Sequence, residues 1–561
     1  MAQNSVRGEG TRERVRHAGE RGWDDSLYED HGDGAGSTAP ATAASSGGGQ
    51  GHGEAGRRHG GTPARRGRRG KRRILRWVAS VLSLLILGTA GAGYLYYKHL
   101  NSNIRKGERV AGDSKAQKSQ PNAAGQTPLN VLLIGSDSRS SEANQQLGGA
   151  RDKADAPPLA DVQMLLHVSA DRKNASVVSI PRDTRVEVPE CVDPETKQTH
   201  KATRTLINET LGRGGPGCTL LTWENLTGVY IDHWMMVDFA GVVAMSDAVG
   251  GAEVCLNQNV WDKPTAMVKG GSGLKLERGR QTVEGETALK WLRTRHAFYN
   301  DFGRSKAQHM YMNSVIRNLK AQNAFSDTGQ LMDLAETATK SLQVSEEIGT
   351  VRELFDLGMQ LKDVPTDRIT MLTMPRIADP YDKDRVLPAP GKADDLWRML
   401  RDDIPVDGKG PTSKPKPVAD PNDPAAPASE IGVMVQNGTY TAQLGSVGGR
   451  AGEIADVLND KGYALASADR TSNPMAHTVV RYPSAELEGD AHAVAKSLGI
   501  PASSVKKSTD VSGVTLVVGA DWRTGESPPK EPAPTVSKED TEALNGADTT
   551  ECMDVYEPYR W

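Results

Sequence analysis

One uncharged run, Trp77–Tyr97 (WVASVLSLLILGTAGAGYLYY), constrains this chain more than any other stretch. At 1.5 Å per residue, about twenty helical residues cross the hydrocarbon core of a bilayer. Trp77 and the cluster Tyr94, Tyr96 and Tyr97 mark the two interfaces. The preceding flank is dense in positive charge: Arg57-Arg58, Arg65-Arg66, Arg68-Arg69 and Lys71-Arg72-Arg73. Alone, that block would suggest nucleic acid. Beside an apolar span it reads as a topology signal with contact to anionic lipid, and a nucleic-acid role is set aside. The positive-inside rule puts residues 1–73 in the cytoplasm and everything after Lys98 outside the cell membrane. A cleaved signal peptide is the alternative. The run is long for one, no small-residue cleavage site follows, and the leading region would be about seventy residues.

The 561 residues are only 37% apolar, below the level of a purely globular protein, so long unfolded segments are expected beside an ordinary core. Their distribution divides the chain. Residues 1–73 have almost no large apolar side chain after Tyr28 and read as a disordered basic tail. Residues 74–97 are the transmembrane helix and 98–128 a polar spacer. Residues 129–403 mix strands and helices, which argues an α/β domain with a mixed central sheet flanked by helices. Residues 404–429 are a proline-rich, extended linker. Residues 430–522 alternate strand and helix as a second, small α/β domain. Residues 523–561 read as a disordered tail with an aromatic end, Tyr556, Tyr559 and Trp561.

Within 129–403 the ionisable residues fall at the ends of strands. The apolar run Val177-Val178-Ser179-Ile180 stops at Pro181-Arg182-Asp183-Thr184, which reads as a buried strand delivering an arginine and a carboxylate into a crevice. A surface ion pair of Arg182 with Asp183 or Glu187 is the plain alternative. Asp137 and Arg139 follow the strand Leu129–Gly135, and Asp161 precedes the strand Val162–Val168. Arg293 and Arg295 lie in Leu292-Arg293-Thr294-Arg295-His296, at a helix or strand terminus that follows the helical stretch Glu284–Thr294. Arg304 and Gln308 lie four apart, on one face near the start of the helix Arg304–Gln322. Two carboxylates with three or more arginines suit a divalent metal plus phosphates. Hard oxygen ligands favour Mg²⁺, with Mn²⁺ as the alternative ion. His167, His233 and His296 read as structural.

The series Val131–Arg139 (VLLIGSDSR), Ser179–Thr184 (SIPRDT), Glu224–Gly228, Ile231–His233, Val237–Phe239, Val249–Gly251 and Asp301–Arg304 resembles the LytR-CpsA-Psr family, over about Leu129 to Ile404. Val435–Thr439 (VQNGT) and the helix after it resemble the LytR C-terminal domain. The resemblance implies a membrane-anchored, Mg²⁺-dependent phosphotransferase. Its substrates would be a polyprenyl-pyrophosphate-linked glycan and a peptidoglycan acceptor, joined by a phosphodiester. It implies metal binding by Asp137 and Asp161. Arg139, Arg182, Arg293, Arg295, Arg304 and Gln308 would grip the pyrophosphate, with Asp183 orienting arginines; Arg182, Asp183, Arg293 and Arg295 would form the catalytic set. Two departures stand out. Ala160-Asp161-Val162 replaces the family's usual Ser-Asp-Thr, and Ala307-Gln308 replaces its Arg-Gln. Two other readings remain: hydrolysis of the lipid pyrophosphate, and a non-catalytic carrier-binding wall regulator.

All four cysteines follow the apolar run, in a compartment that permits oxidation. None forms a Cys-x-x-Cys pair, which argues against a zinc knuckle. A disulfide between Cys191 and Cys218 would hold a polar loop beside Arg182, stabilising by about 3 kcal/mol in the chain-entropy model. The competing pairing joins Cys255 to either partner, with Cys552 left free in the tail. Otherwise Cys255 is expected as a buried thiol.

Overall fold

The structure is a computed structural model that describes residues 68–114, 116–119, 121–122, 124–148, 156–266, 268–321, 328–410, 424–440, 444–475, 477–529 and 534–561. The expectations for residues 1–67, and for the linker between 411 and 423, lie outside the described residues. Leu82–Trp561 forms one compact unit, and of Met1–Val81 only the helix from Arg68 is described. That helix, Arg68–Asn103, is among the described residues the one long and apolar enough to cross a membrane, and its apolar side chains from Ile74 to Leu87 are exposed.

An eight-stranded mixed sheet organises the first domain. Its order is Arg105–Gly107, Leu342–Ser345, His233–Val237, Leu129–Ser136, Ala160–Val168, Ala175–Ser179, Ile369–Thr373 and Leu544–Asn545. Leu129–Ser136 pairs antiparallel with Ala160–Val168, which pairs antiparallel with Ala175–Ser179. Ala175–Ser179 lies parallel to Ile369–Thr373, and every residue of both strands is buried. Continuous apolar runs are what a strand covered on both faces requires. Helices Leu211–Thr227 and Lys392–Arg401 supply Trp223 and Trp397 to the main core, where the rings meet edge-on at 6.5 Å.

The second domain is a five-stranded sheet with helices Arg450–Asp460 and Glu488–Leu498. Its core gathers Val433, Val435, Ile454, Leu458, Val480 and Leu516 around Trp522. Arg450 is buried there because its Nε donates to the Trp522 carbonyl oxygen at 3.0 Å.

Four sequence expectations are corrected. The spacer 98–128 is not free chain throughout. Arg105–Gly107 adds an edge strand, Arg109 pairs with buried Glu224 at 2.9 Å, and Lys118 pairs with Asp232 at 2.6 Å. Polar composition concealed this because the partners are buried carboxylates over a hundred residues away. The linker begins later than Ile404, since Arg368 holds Asp407 at 2.8 Å. The tail is not disordered over 534–561: Leu544–Asn545 closes the sheet edge, and Met553, Val555 and Tyr559 enter a core cluster. Cys191 and Cys218 are joined, with Cα atoms 5.7 Å apart. Cys255 is not a free thiol; it is bonded to Cys552, which fastens the tail to the first domain.

Candidate active site

Sheet pairing decides which ends meet. Because Ala160–Val168 runs antiparallel to both neighbours, its start lies beside the carboxyl ends of Leu129–Ser136 and Ala175–Ser179. Asp137, Asp161 and Arg182 therefore converge at one end of the central strands, beside the carboxyl ends where α/β folds bind ligands. Arg182 Nη1 donates to Asp161 Oδ1 at 3.0 Å. Its Nε lies 3.5 Å from Asp183 Oδ2 and 3.6 Å from Asp301 Oδ1. Burial opposes the guanidinium charge, but Asp161, Asp301 and Asp183 together hold Arg182 above its ordinary pKa.

Asp137 is buried. Its Oδ1 accepts the Leu159 N–H at 2.7 Å and its Oδ2 accepts Arg139 Nη2 at 3.1 Å. Burial raises its carboxyl above the ordinary value; the Leu159 N–H works against this and the nearby Asp161 charge adds to it. The two carboxylates thus face each other closely enough to repel.

Arg293, at the end of helix Gly285–Arg293, is aimed by two carbonyls: Nη1 donates to Leu147 O at 2.9 Å and Nη2 to Gly148 O at 3.1 Å. Gly148 has a positive φ of 124°, and a β-carbon there would collide with the Arg293 guanidinium. Burial lowers the Arg293 pKa, while Asp161 and Asp137 favour its charge. An arginine remains charged regardless.

Asp301, in the first turn of helix Asp301–Ala321, is the hub that the sequence reading used only as part of a motif. Its Oδ1 pairs with Arg304 Nη2 at 2.9 Å and its Oδ2 with Arg295 Nη1 at 3.5 Å. The i, i+3 spacing to Arg304 was the available signal. Gly303 between them lies so close to Phe298 that a β-carbon would strike its carbonyl oxygen. Arg385 was missed entirely. It reaches Asp183 Oδ1 at 2.8 Å from the hairpin Arg376–Asp379/Asp382–Pro388, two hundred residues away, and no local pattern predicts that contact.

Gln308 lies beside this cluster. It is buried on the same helix as Arg304, but its Nε2 donates to Leu292 O at 3.0 Å, fixing the turn that carries Arg293. Lys306 nearby pairs with Glu551 of the tail at 3.1 Å.

Five arginines (139, 182, 295, 304 and 385) thus pair with four aspartates (137, 161, 183 and 301), Arg385 also with Asp382 at 3.6 Å, and a sixth, Arg293, is held beside them by two carbonyls. The buried Nε atoms of Arg139, Arg182 and Arg304 have no hydrogen-bond acceptor among the described residues. Such a cradle suits a multiply charged anion with several oxygens. No group of three or more His, Cys, Asp or Glu side chains forms a metal cluster among the described residues. A cation between Asp137 and Asp161 would draw its remaining oxygens from water and from the anion, as Mg²⁺ does.

The fold and the site define a class: an α/β domain following an apolar helix, with an arginine-rich cluster at one end of its central strands. The chain belongs to the LytR_cpsA_psr family, whose pattern it matches over residues 93–392. Residues 430–522 match a second family, described as LytR cell envelope-related transcriptional attenuator. The chain is 26% identical over 480 residues to the cell wall biosynthesis protein LcpA of Corynebacterium glutamicum, covering 80% of this chain and 87% of LcpA. It is 25% identical over 306 residues to the polyisoprenyl-teichoic acid–peptidoglycan teichoic acid transferase TagV of Bacillus subtilis, covering 53% of this chain and 71% of TagV. The crystal structure of B. subtilis TagV aligns with 49% of this chain and 97% of its own, at 22% identity and a TM-score of 0.38.

Proposed function

We propose that this protein transfers an anionic glycopolymer from a polyprenyl-pyrophosphate carrier to peptidoglycan, leaving a phosphodiester link. The observation that carries the reading is the gathering of six arginines with Asp137, Asp161, Asp183 and Asp301 at one end of the central strands. The names of the relatives support the class of reaction: a teichoic acid transferase and a cell wall biosynthesis protein. The apolar helix would keep the active site near a lipid-borne substrate, with the amino terminus cytoplasmic and the catalytic domain outside.

In this reading Arg182, Arg293, Arg295 and Arg304 bind the pyrophosphate oxygens, and Arg139 braces Asp137 beside them. Asp183 and Asp301 hold the guanidiniums so that little reorganisation is needed as charge develops. Gln308 contributes by fixing the Arg293 turn. The acceptor hydroxyl oxygen bonds to the glycan-proximal phosphorus while the anhydride P–O bond breaks. Polyprenyl monophosphate leaves and takes the balancing proton. Asp137 and Asp161 would hold Mg²⁺, or Mn²⁺, which supplies neutralisation of phosphoryl charge when bound.

The test uses the full chain in detergent with a polyprenyl-pyrophosphate glycan, with and without a peptidoglycan acceptor. Transfer predicts Mg²⁺-dependent release coupled to a glycan–peptidoglycan product. Release at equal rate without acceptor would mean hydrolysis. Tight carrier binding with no release would mean a non-catalytic regulator.

A further inference from the structure

The carboxyl-terminal segment leaves the second domain and returns to the first, touching it on both sides of Asp301. On one side, the Tyr556 N–H donates to Ala297 O at 2.8 Å and its ring meets Tyr299 at 5.2 Å. Buried Tyr559 stacks on His296, with centroids 6.5 Å apart and planes 18° off parallel. His296 Nε2 in turn lies 3.2 Å from Arg295 Nη2. On the other side, Glu542 Oε1 pairs with Arg376 Nη2 at 3.1 Å, and the Arg376 guanidinium lies 3.4 Å from the centroid of Phe302. Tyr556 and Tyr559 thus meet the turn His296–Phe298 directly, Glu542 reaches the start of helix Asp301–Ala321 by way of Arg376, and Cys552, between these contacts in sequence, is bonded to Cys255.

From this geometry we infer that the carboxyl-terminal strap is a positioning element of the anion site, acting on Arg295 through Tyr559 and His296 and on the start of helix Asp301–Ala321 through Glu542, Arg376 and Phe302. The inference rests on the proposed pyrophosphate site. An arginine has several donors and a long flexible stem, so two fixed acceptors are needed to aim it. Asp301 is one acceptor and the His296 ring nitrogen is the other. Burial, followed by the Arg295 charge, lowers the His296 pKa, which keeps the ring neutral and able to accept. Tyr559 lies against that ring in an offset, near-parallel stack. Removing it frees the ring to rotate and the guanidinium to leave the cradle, without touching a residue that meets the substrate.

The experiment compares wild type, Tyr559→Ala, Tyr559→Phe and Arg182→Ala as full chains in detergent, by calorimetry with inorganic pyrophosphate and Mg²⁺. Turnover is measured as separate kcat and KM. The Cys255–Cys552 bond keeps the strap tethered in every variant, and melting temperature records any loss of fold. Tyr559→Ala should weaken pyrophosphate binding about tenfold and raise KM more than it lowers kcat. Tyr559→Phe, which retains the stack, should restore both to within about twofold of wild type. Pyrophosphate affinity in Tyr559→Ala equal to wild type, whether or not the melting temperature falls, overturns the strap's role. Equal losses in the Ala and Phe variants overturn it too, because the phenol hydroxyl would then matter rather than the stack. A wild-type chain that binds no pyrophosphate overturns the site reading and the strap's role with it, a pattern distinct from binding lost only in Arg182→Ala.

Discussion

Arg182 and Asp161 meet at 3.0 Å because Ala160–Val168 and Ala175–Ser179 are antiparallel neighbours, which brings the start of the first beside the close of the second. The pairing ties the arginine proposed to bind the anion to a candidate metal ligand, so each sets the direction of the other.

Arg182→Ala should reduce transfer by about a hundredfold or more, the scale of losing one fixed donor at a charge-developing centre. Arg182→Lys should recover little, because a point charge cannot replace contacts to Asp161, Asp183 and Asp301 together. Steady-state rates and melting curves of both variants check this. Normal turnover in the alanine variant would remove Arg182 from the site.

Metal dependence should run through Asp161 and Asp137. Two carboxylates in mutual repulsion tolerate a nearby pyrophosphate only with a cation between them. Calorimetry with Mg²⁺ and pyrophosphate should lose most of its heat in Asp161→Asn. Unchanged heat would put the metal elsewhere.

Acid should destabilise the domain through His309. This wholly buried ring, 2.6 Å from Ser179 Oγ, has its pKa pushed down to about 4. The unfolded chain takes up a proton near pH 6.5 and the folded one does not until about pH 4, so the contribution is complete above 6.5 and is lost as pH falls toward 4. Between about pH 7.5 and pH 5 the loss should be about 2 kcal/mol. Urea midpoints of wild type should fall across that window more than those of His309→Gln; parallel curves would contradict the assignment.

Opening the Cys191–Cys218 loop, 27 residues in separation, should cost about 3 kcal/mol by the loop-entropy argument. Paired Cys191→Ser and Cys218→Ser substitutions, followed by denaturant unfolding, measure it. A change under about 1 kcal/mol would mean that packing alone holds the loop.

The apolar helix, the α/β alternation, the two-domain order and most strand-end residues were legible because they are local. An uncharged run, a β-branched stretch broken by Pro181, or apolar spacing in a helix declares itself within ten or twenty residues. The Cys191–Cys218 bond was legible for the same reason, since both cysteines flank one polar loop.

What sequence alone determined is therefore the set of elements and the charged residues at their ends. Tertiary structure decided which of those residues meet and in what role. Asp301 became a hub because Arg182, Arg295 and Arg304 reach it from three segments. Gln308 turned to the Leu292 carbonyl because a buried amide must find an acceptor. Arg385 joined the site from a hairpin whose placement depends on the Thr184–Val386 bridge. The tail, polar enough to look unfolded, is ordered over 534–561 because a sheet edge, a core cluster and Cys255 lie ready to receive it. Composition reports what a segment can bury by itself, and this one buries its aromatic end against residues that folding brings from elsewhere in the chain.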